Sequence, residues 1–143
     1  MLIITPLFFY AKKNEMKYLF IVLFSLSILS CNSVGISEQD FDKMRWKNDK
    51  NGCQGERQKM LADFEKIKPK LYQLLEMSVI DVLGKPDYSN LGTHNQKKFI
   101  YFIEPRNGYC KDVKAVAKPK VVQIYFDALN QAKEILIVED VSN

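Results

Sequence analysis

Three cysteines and one histidine are the residues of this 143-residue chain with the widest choice of chemistry. The thiols of Cys31, Cys53 and Cys110 could accept a lipid, form a disulfide or bind a metal. His94 lies in the polar stretch Gly-Thr-His-Asn, and the chain contains no Cys-x-x-Cys motif. Because a structural zinc site needs several such ligands at short spacings, we predict no metal and no cofactor.

Residues 18–30 form an uncharged stretch directly before Cys31. Its thirteen residues are fewer than the roughly 20 that a membrane-spanning helix needs. Lys17 precedes the stretch, and Lys12 and Lys13 lie a little further upstream. Positive charge, apolar segment and small residues, in that order, predict a secretory signal peptide.

The last residues before Cys31 are Ile28, Leu29 and Ser30. They resemble the lipobox of bacterial lipoproteins, which implies cleavage before Cys31, a diacylglycerol on its sulfur and a further acyl chain, such as palmitate, on its amine. Two or more long chains make a stable membrane anchor. Asn32, in place of aspartate, implies an outer-membrane lipoprotein of either leaflet. An apolar segment that merely ends in cysteine is the alternative.

The chain divides into a signal peptide over residues 1–30, a tether and a domain. Residues 1–15 place a second apolar block before the charges, so we expect translation to start at Met16; a genuine N-terminal extension is the alternative. Residues 31–40 are polar and contain a glycine, which predicts a flexible tether. Residues 41–143 are predicted to form the folded domain.

The 113 residues that remain after removal of the first 30 suffice for one small domain. Their 18 basic and 16 acidic side chains nearly balance, so they lack the strongly basic surface that nucleic-acid binding requires. Cys53 and Cys110 are left as an even pair, which predicts a disulfide in an exported protein. A bond between them closes a loop of about 57 residues. By the loop-entropy argument it raises the free energy of unfolding by roughly 4 kcal/mol. A redox or metal pair is the alternative.

Helical patterns occupy the first half of the domain. Apolar residues recur at helical spacing over residues 54–68, which predicts an amphipathic helix, and Pro69 should end or kink it. Ser78 and Asp81 form a capping-box variant, which predicts the start of a second short helix. Gly84 lies where that helix should end in a left-handed residue.

Alternating patterns occupy the second half. Apolar residues alternate over residues 99–103, 121–126 and 135–138, which predicts three strands. Asn130 can supply the left-handed turn residue between the last two strands. Two helical segments followed by three strands predict an α+β fold, a two-layer sandwich with the helices on a three-stranded antiparallel meander.

The combined motifs resemble the SmpA/OmlA (BamE-like) family of small outer-membrane lipoproteins. LLEMSVIDVLGKPD is similar to the family's second helix, KFIYFI to a strand, and VVQIYFDALNQAKEILI to its last hairpin. The resemblance covers residues 53–139, with Glu76 and Asn130 at positions where the family usually has glycine. The matching positions are Met77, Ser78, Val82, Gly84, Pro86, Tyr101, Ile124, Phe126 and Ile135.

The resemblance implies a lipid-anchored scaffold of the bacterial envelope, which binds envelope proteins and assists the β-barrel assembly machinery. An inhibitor-like binding lipoprotein of an unrelated pathway is the alternative. We do not expect an enzyme, because the chain offers a single histidine and has neither a Gly-x-Ser-x-Gly motif nor a phosphate-binding loop.

The predicted contact residues are mostly cations. Arg106, Lys111, Lys114, Lys118 and Lys120 share their segment with one acid, Asp112, and could meet anionic lipid headgroups or an acidic partner; an ordinary solvated loop is the alternative. Tyr101 and Tyr125 could lie on an exposed face of the sheet. Trp46 could pack over the edge of the core, or it could insert into a partner protein.

Overall fold

The computed structural model describes residues 35–91, 96–111 and 113–139. Cys31, the apolar stretch before it, His94 and Asp112 lie outside the described residues. The described residues belong to one compact unit. No helix in the described part of the chain combines the length and the apolar character needed to cross a membrane.

Four α-helices and one 3-10 turn form the helical layer of the described chain. The elements are α1 (Lys43–Asn48), the 3-10 turn (Lys50–Gly52), α2 (Glu56–Lys59), α3 (Leu61–Leu71) and α4 (Glu76–Leu83). Asp42 begins α1, because its Oδ1 accepts the Arg45 N–H at 2.9 Å. The first predicted helix is divided at Met60, and Pro69 lies in the last turn of α3.

The start of α4 differs from the sequence prediction. The helix begins at Glu76, so Ser78 and Asp81 lie inside it and the predicted capping box is wrong. The neighbouring hairpin turn supplies the missing partner, since the Glu76 N–H donates to the Asn130 carbonyl at 3.0 Å. Gly84 ends the helix with φ +80°, and its N–H donates to the Ile80 carbonyl at 2.8 Å, which confirms the predicted C-terminus.

The described chain contains four strands, which are β1 (Tyr88–Leu91), β2 (Lys97–Phe102), β3 (Lys120–Phe126) and β4 (Ala132–Glu139). They form one antiparallel sheet in the order β1-β2-β3-β4. The predicted α+β class is confirmed, but the predicted count of three strands is wrong. The additional strand β1 has only four residues and lies at an edge, so it carries no long alternating pattern. Asn130 has φ +58° in the β3–β4 turn, as predicted.

The main core lies between the helices and one face of the sheet, called here the inner face. Trp46 of α1 stacks on Phe64 of α3 with ring centroids 5.1 Å apart. Ile36 is also buried in this core, whereas residues 37–40, which follow it, are exposed. The strand residues that face this core are Phe99, Tyr101, Ile103, Val122, Ile124, Phe126, Ala132 and Ile135.

A second, smaller cluster lies on the opposite, outer face of the sheet. It consists of Ile100, Phe102 and Val121. The loop between β2 and β3 folds back beside it, because the Arg106 guanidinium lies 5.2 Å from the Phe102 ring centroid. A β-bridge between Arg106 and Val116 closes this loop on itself.

Candidate interaction surfaces

A disulfide anchors the β2–β3 loop to the helical layer. Cys53 and Cys110 are bonded, with their Cα atoms 5.4 Å apart, which confirms the predicted pairing. The bridge joins the chain just after the 3-10 turn to a point midway along the loop. We call this end of the domain the loop end. It is built from residues 49–57, Asp87 and the described loop residues 103–111 and 113–119.

Three charged side chains, Asp49, Arg57 and Asp87, are buried at the loop end. Arg57 forms an ion pair with Asp87, and its Nη1 also donates to the Phe102 carbonyl at 3.1 Å. Its Nε donates to the Trp46 carbonyl at 3.0 Å. Buried charges are tolerated only when they are paired and hydrogen-bonded, and this arginine meets both conditions.

The two carboxylates of this cluster also accept backbone N–H groups. Asp49 accepts those of Gln54 at 2.7 Å and Arg57 at 2.8 Å, so it holds the start of α2. Asp87 accepts those of Asn51 at 3.1 Å and Phe102 at 2.8 Å. It therefore joins the 3-10 turn to β2.

Tyr101 and Trp46 cover the Arg57 guanidinium, whose central carbon lies 5.7 and 5.4 Å from their ring centroids. The Tyr101 hydroxyl donates to the Gly84 carbonyl at 2.9 Å. Burial raises the pKa of Tyr101 well above its ordinary value. The Arg57 guanidinium and the Tyr101 hydroxyl both form hydrogen bonds inside the protein, so the cluster holds the loop end together.

Two of the predicted contact residues have no exposed surface. Trp46 and Tyr101 are each 0% exposed, because both lie between the helices and the inner face of the sheet. The predictions of a partner contact at Trp46 and of an outward-facing Tyr101 are therefore wrong. Tyr125 does lie on the outer face, half-buried, with the Lys98 Nζ 5.5 Å from its ring centroid.

The predicted cations play two different roles. Arg106 lies between two rings, 5.2 Å from the centroid of Phe102 and 5.1 Å from that of Tyr109, so it fastens the loop to the sheet. Lys111, Lys114 and Lys118 are exposed. Their loop also exposes apolar and aromatic side chains, which are Tyr109, Val113 and Val116. The loop end can thus offer charge together with apolar surface.

A set of exposed apolar side chains lies at the opposite end of the domain, which the sequence prediction missed. Large exposed apolar patches commonly mark binding sites in soluble proteins. We call this set the apolar end. Its members and their exposed fractions are Tyr72 (40%), Leu75 (54%), Met77 (65%), Leu91 (68%) and Leu129 (71%).

Backbone pairing brings the apolar end together. Leu75 forms a β-bridge with Gln131, which places the α3–α4 turn beside the β3–β4 turn that carries Leu129. Glu76 accepts from Lys97 at 2.6 Å, and Lys97 is the register partner of Leu91. The end of β1 therefore lies beside the start of α4.

A surface pocket of about 310 Å³ lies between residues 38–42 and the helices α1 and α3. Four of its charged side chains form two ion pairs. Lys66 donates to Asp63 at 2.7 Å, and Lys70 donates to Asp40 at 3.2 Å. The hydrogen bond from Lys70, with a second from Ser37, holds the pKa of Asp40 below its ordinary value. The pair between Lys70 and Asp40 ties the segment before α1 to α3.

Within residues 35–91, 96–111 and 113–139, no group of three or more histidine, cysteine, aspartate or glutamate side chains is placed to hold a metal ion. The fold and its surfaces define the class: a small disulfide-bonded α+β domain with an apolar end and a basic loop end. No family model matches this chain, and neither a curated protein nor a solved structure matches it.

Proposed function

We propose that this protein is a lipid-anchored binding module of the bacterial envelope, which works by contact with other envelope proteins. The observation that carries the proposal is the apolar end. Four of its side chains, Leu75, Met77, Leu91 and Leu129, are each more than half exposed. Leaving such groups in water is unfavourable by about 25 cal/mol per Å² of apolar surface, so a partner that covers them gains binding free energy.

The resemblance to the SmpA/OmlA family supplies the partner class. We propose that the apolar end contacts a component of the β-barrel assembly machinery, with Cys31 as the lipid acceptor that keeps the domain at the membrane. Lys111, Lys114 and Lys118 lie at the opposite end of the domain and would face anionic lipid headgroups.

Affinity purification from mildly solubilised envelopes tests this function. The bait is the tagged full-length chain, and the proteins that co-purify are identified by mass spectrometry. A Cys31→Ala chain tests the anchor, and a Met77→Ser/Leu129→Ser chain tests the apolar end. A Lys114→Ser/Lys118→Ser chain is the matched control, because it also changes two exposed side chains but at the loop end.

Enrichment of barrel-assembly proteins by the wild-type chain, reduced by the apolar-end substitutions and by Cys31→Ala, is the expected result. Capture of a secreted or surface protein from an unrelated pathway would favour the inhibitor-like alternative instead. Equal recovery of assembly proteins by the wild-type and Met77→Ser/Leu129→Ser chains would show that the apolar end does not contact them.

A further inference from the structure

The two edges of the sheet differ in length and in covering. β1 has four residues, whereas β4 has eight. An edge strand turns alternate N–H and C=O groups outward, where they can pair with another strand. On β4, Ala132 donates to the Leu74 carbonyl at 2.9 Å, and its own carbonyl accepts from Gln73 at 2.8 Å. From Lys133 onward, no described residue outside β3 forms a backbone hydrogen bond with the strand.

The exposed part of β4 has opposite charges at its two ends. Lys133 and Glu139 are both exposed, and neither forms an ion pair within the described chain. The residues between them are apolar except for Glu134, and Leu136 lies at the centre of the segment. When two copies of this segment lie antiparallel, Lys133 of one copy can therefore lie opposite Glu139 of the other.

We propose that β4 pairs antiparallel with β4 of a second copy of this chain, about a two-fold axis at Leu136. In this register Lys133 lies opposite Glu139 of the partner subunit, and by symmetry the charge pair occurs twice. Ile135 lies opposite Ile137 of the partner subunit. The two four-stranded sheets then form one continuous sheet of eight strands. This inference does not depend on the function proposed above.

The register follows from charge and from the alternation of side chains. The β3–β4 register is regular from Glu134 to Glu139 and shifts at Lys133. Because neighbouring residues of the regular part face opposite sides, a two-fold axis perpendicular to the sheet must pass through a residue. An axis at Glu134 would place two carboxylates opposite each other, which is unfavourable. An axis at Ile135 would place Lys133 opposite Ile137, and an axis at Ile137 would place Glu139 opposite Ile135. Only the axis at Leu136, among these, places Lys133 opposite Glu139.

Cross-linking tests the position of the axis. In the full-length chain in mild detergent, Leu136→Cys places two thiols directly opposite, with Cα atoms about 4.5–5.5 Å apart, and we expect disulfide-linked dimers on oxidation. Glu134→Cys is the control on the same outer face, because its two copies would lie about 13 Å apart, too far for a disulfide. Equal cross-linking at both positions, or none at Leu136→Cys, would overturn the proposal.

A charge swap tests the register independently. Lys133→Glu places like charges opposite each other twice, so sedimentation equilibrium should show a dimer weakened about five- to tenfold. Lys133→Glu/Glu139→Lys restores opposite charges and should restore the dissociation constant. A wild-type chain that stays monomeric at every concentration, or a double variant as weak as the single one, would contradict the proposal. Both substitutions are at exposed positions, which leaves the fold of the monomer intact.

Discussion

The loop end and the apolar end of this domain solve the same problem in different ways. Both must order irregular chain beyond the ends of the strands. The loop end uses a disulfide and the buried side chains of Asp49, Arg57 and Asp87. The apolar end uses backbone hydrogen bonds between two tight turns, such as that from Glu76 to Asn130.

The difference separates stability from binding. The buried charged side chains at the loop end form their hydrogen bonds and ion pair inside the protein. Their removal should therefore destabilise the fold. At the apolar end, large side chains such as Met77 and Leu129 extend into solvent while the backbone below them is held by hydrogen bonds. Substitutions at that end should therefore change binding and leave stability nearly unaltered.

Arg57→Met should have the largest effect. It leaves the Asp87 carboxylate buried without its cation, which typically costs about 3–5 kcal/mol of unfolding free energy. Lys59→Met, also on α2, removes an exposed pair with Glu56 and should cost less than about 1 kcal/mol. Urea unfolding followed by the fluorescence of the single tryptophan, buried Trp46, measures both. Similar midpoints for the two variants would show that the buried cluster does not hold the loop end.

Removal of the disulfide should cause the second-largest loss of stability. Cys53→Ser/Cys110→Ser releases the β2–β3 loop from the helical layer, and we expect a loss of about 2–4 kcal/mol in the same urea assay. Reduction of the wild-type chain by dithiothreitol should lower the midpoint by a comparable amount. An unchanged midpoint after complete reduction would mean that Arg106 and the buried charges are sufficient to hold the loop.

Two glycines of the loop end allow a matched comparison. Gly52 and Gly55 have φ +66° and +69°, so alanine is strained at both, at about 1–2 kcal/mol. A Cβ at Gly52 would lie 2.9 Å from backbone atoms of Ile103 and Glu104, whereas one at Gly55 meets nothing within 4 Å. Gly52→Ala should therefore be less stable than Gly55→Ala by a further ~1–3 kcal/mol. Equal losses of stability would indicate that the 3-10 turn can move away from Ile103 and Glu104 at no cost.

Alkaline pH should weaken the packing around Arg57. Because burial raises the pKa of Tyr101 in the folded state, the folded protein holds its phenol proton where the unfolded chain, with an ordinary pKa of 10.0, loses it. Stability contributed by this group is thus complete below pH 10 and falls as the pH rises above that value. Urea midpoints at pH 9, 10 and 11 should fall more steeply for the wild-type chain than for Tyr101→Phe. Parallel curves would contradict this assignment.

The apolar end should show the smallest effect on stability. Leu129→Ser changes a side chain that is 71% exposed, so its unfolding free energy should stay within about 0.5 kcal/mol of the wild-type value. Partner recovery in the purification described above should nevertheless decrease. A large loss of stability would show that this end supports the fold, and the contrast between the two ends would disappear.

Much of the fold could be predicted from local patterns. Alternation found β2, β3 and β4, and the Gly84 and Asn130 signals correctly marked a helix end and a hairpin turn. The disulfide was predicted because Cys53 and Cys110 remain as an even pair once Cys31 is assigned to the lipid. β1 was missed because four residues at an edge carry little periodicity. The start of α4 was misplaced because its partner, the Asn130 carbonyl, comes from a turn 54 positions away.

By itself, the sequence determined which residues alternate, where helices must end and which thiols could pair, because these properties depend on neighbours along the chain. Only the tertiary structure decided that Arg57 is buried between Trp46 and Tyr101, and that Leu75 and Leu129 share one exposed end. The physical reason is that burial depends on what packs from distant segments. The same charged or apolar residue can therefore be core or surface until the fold is known.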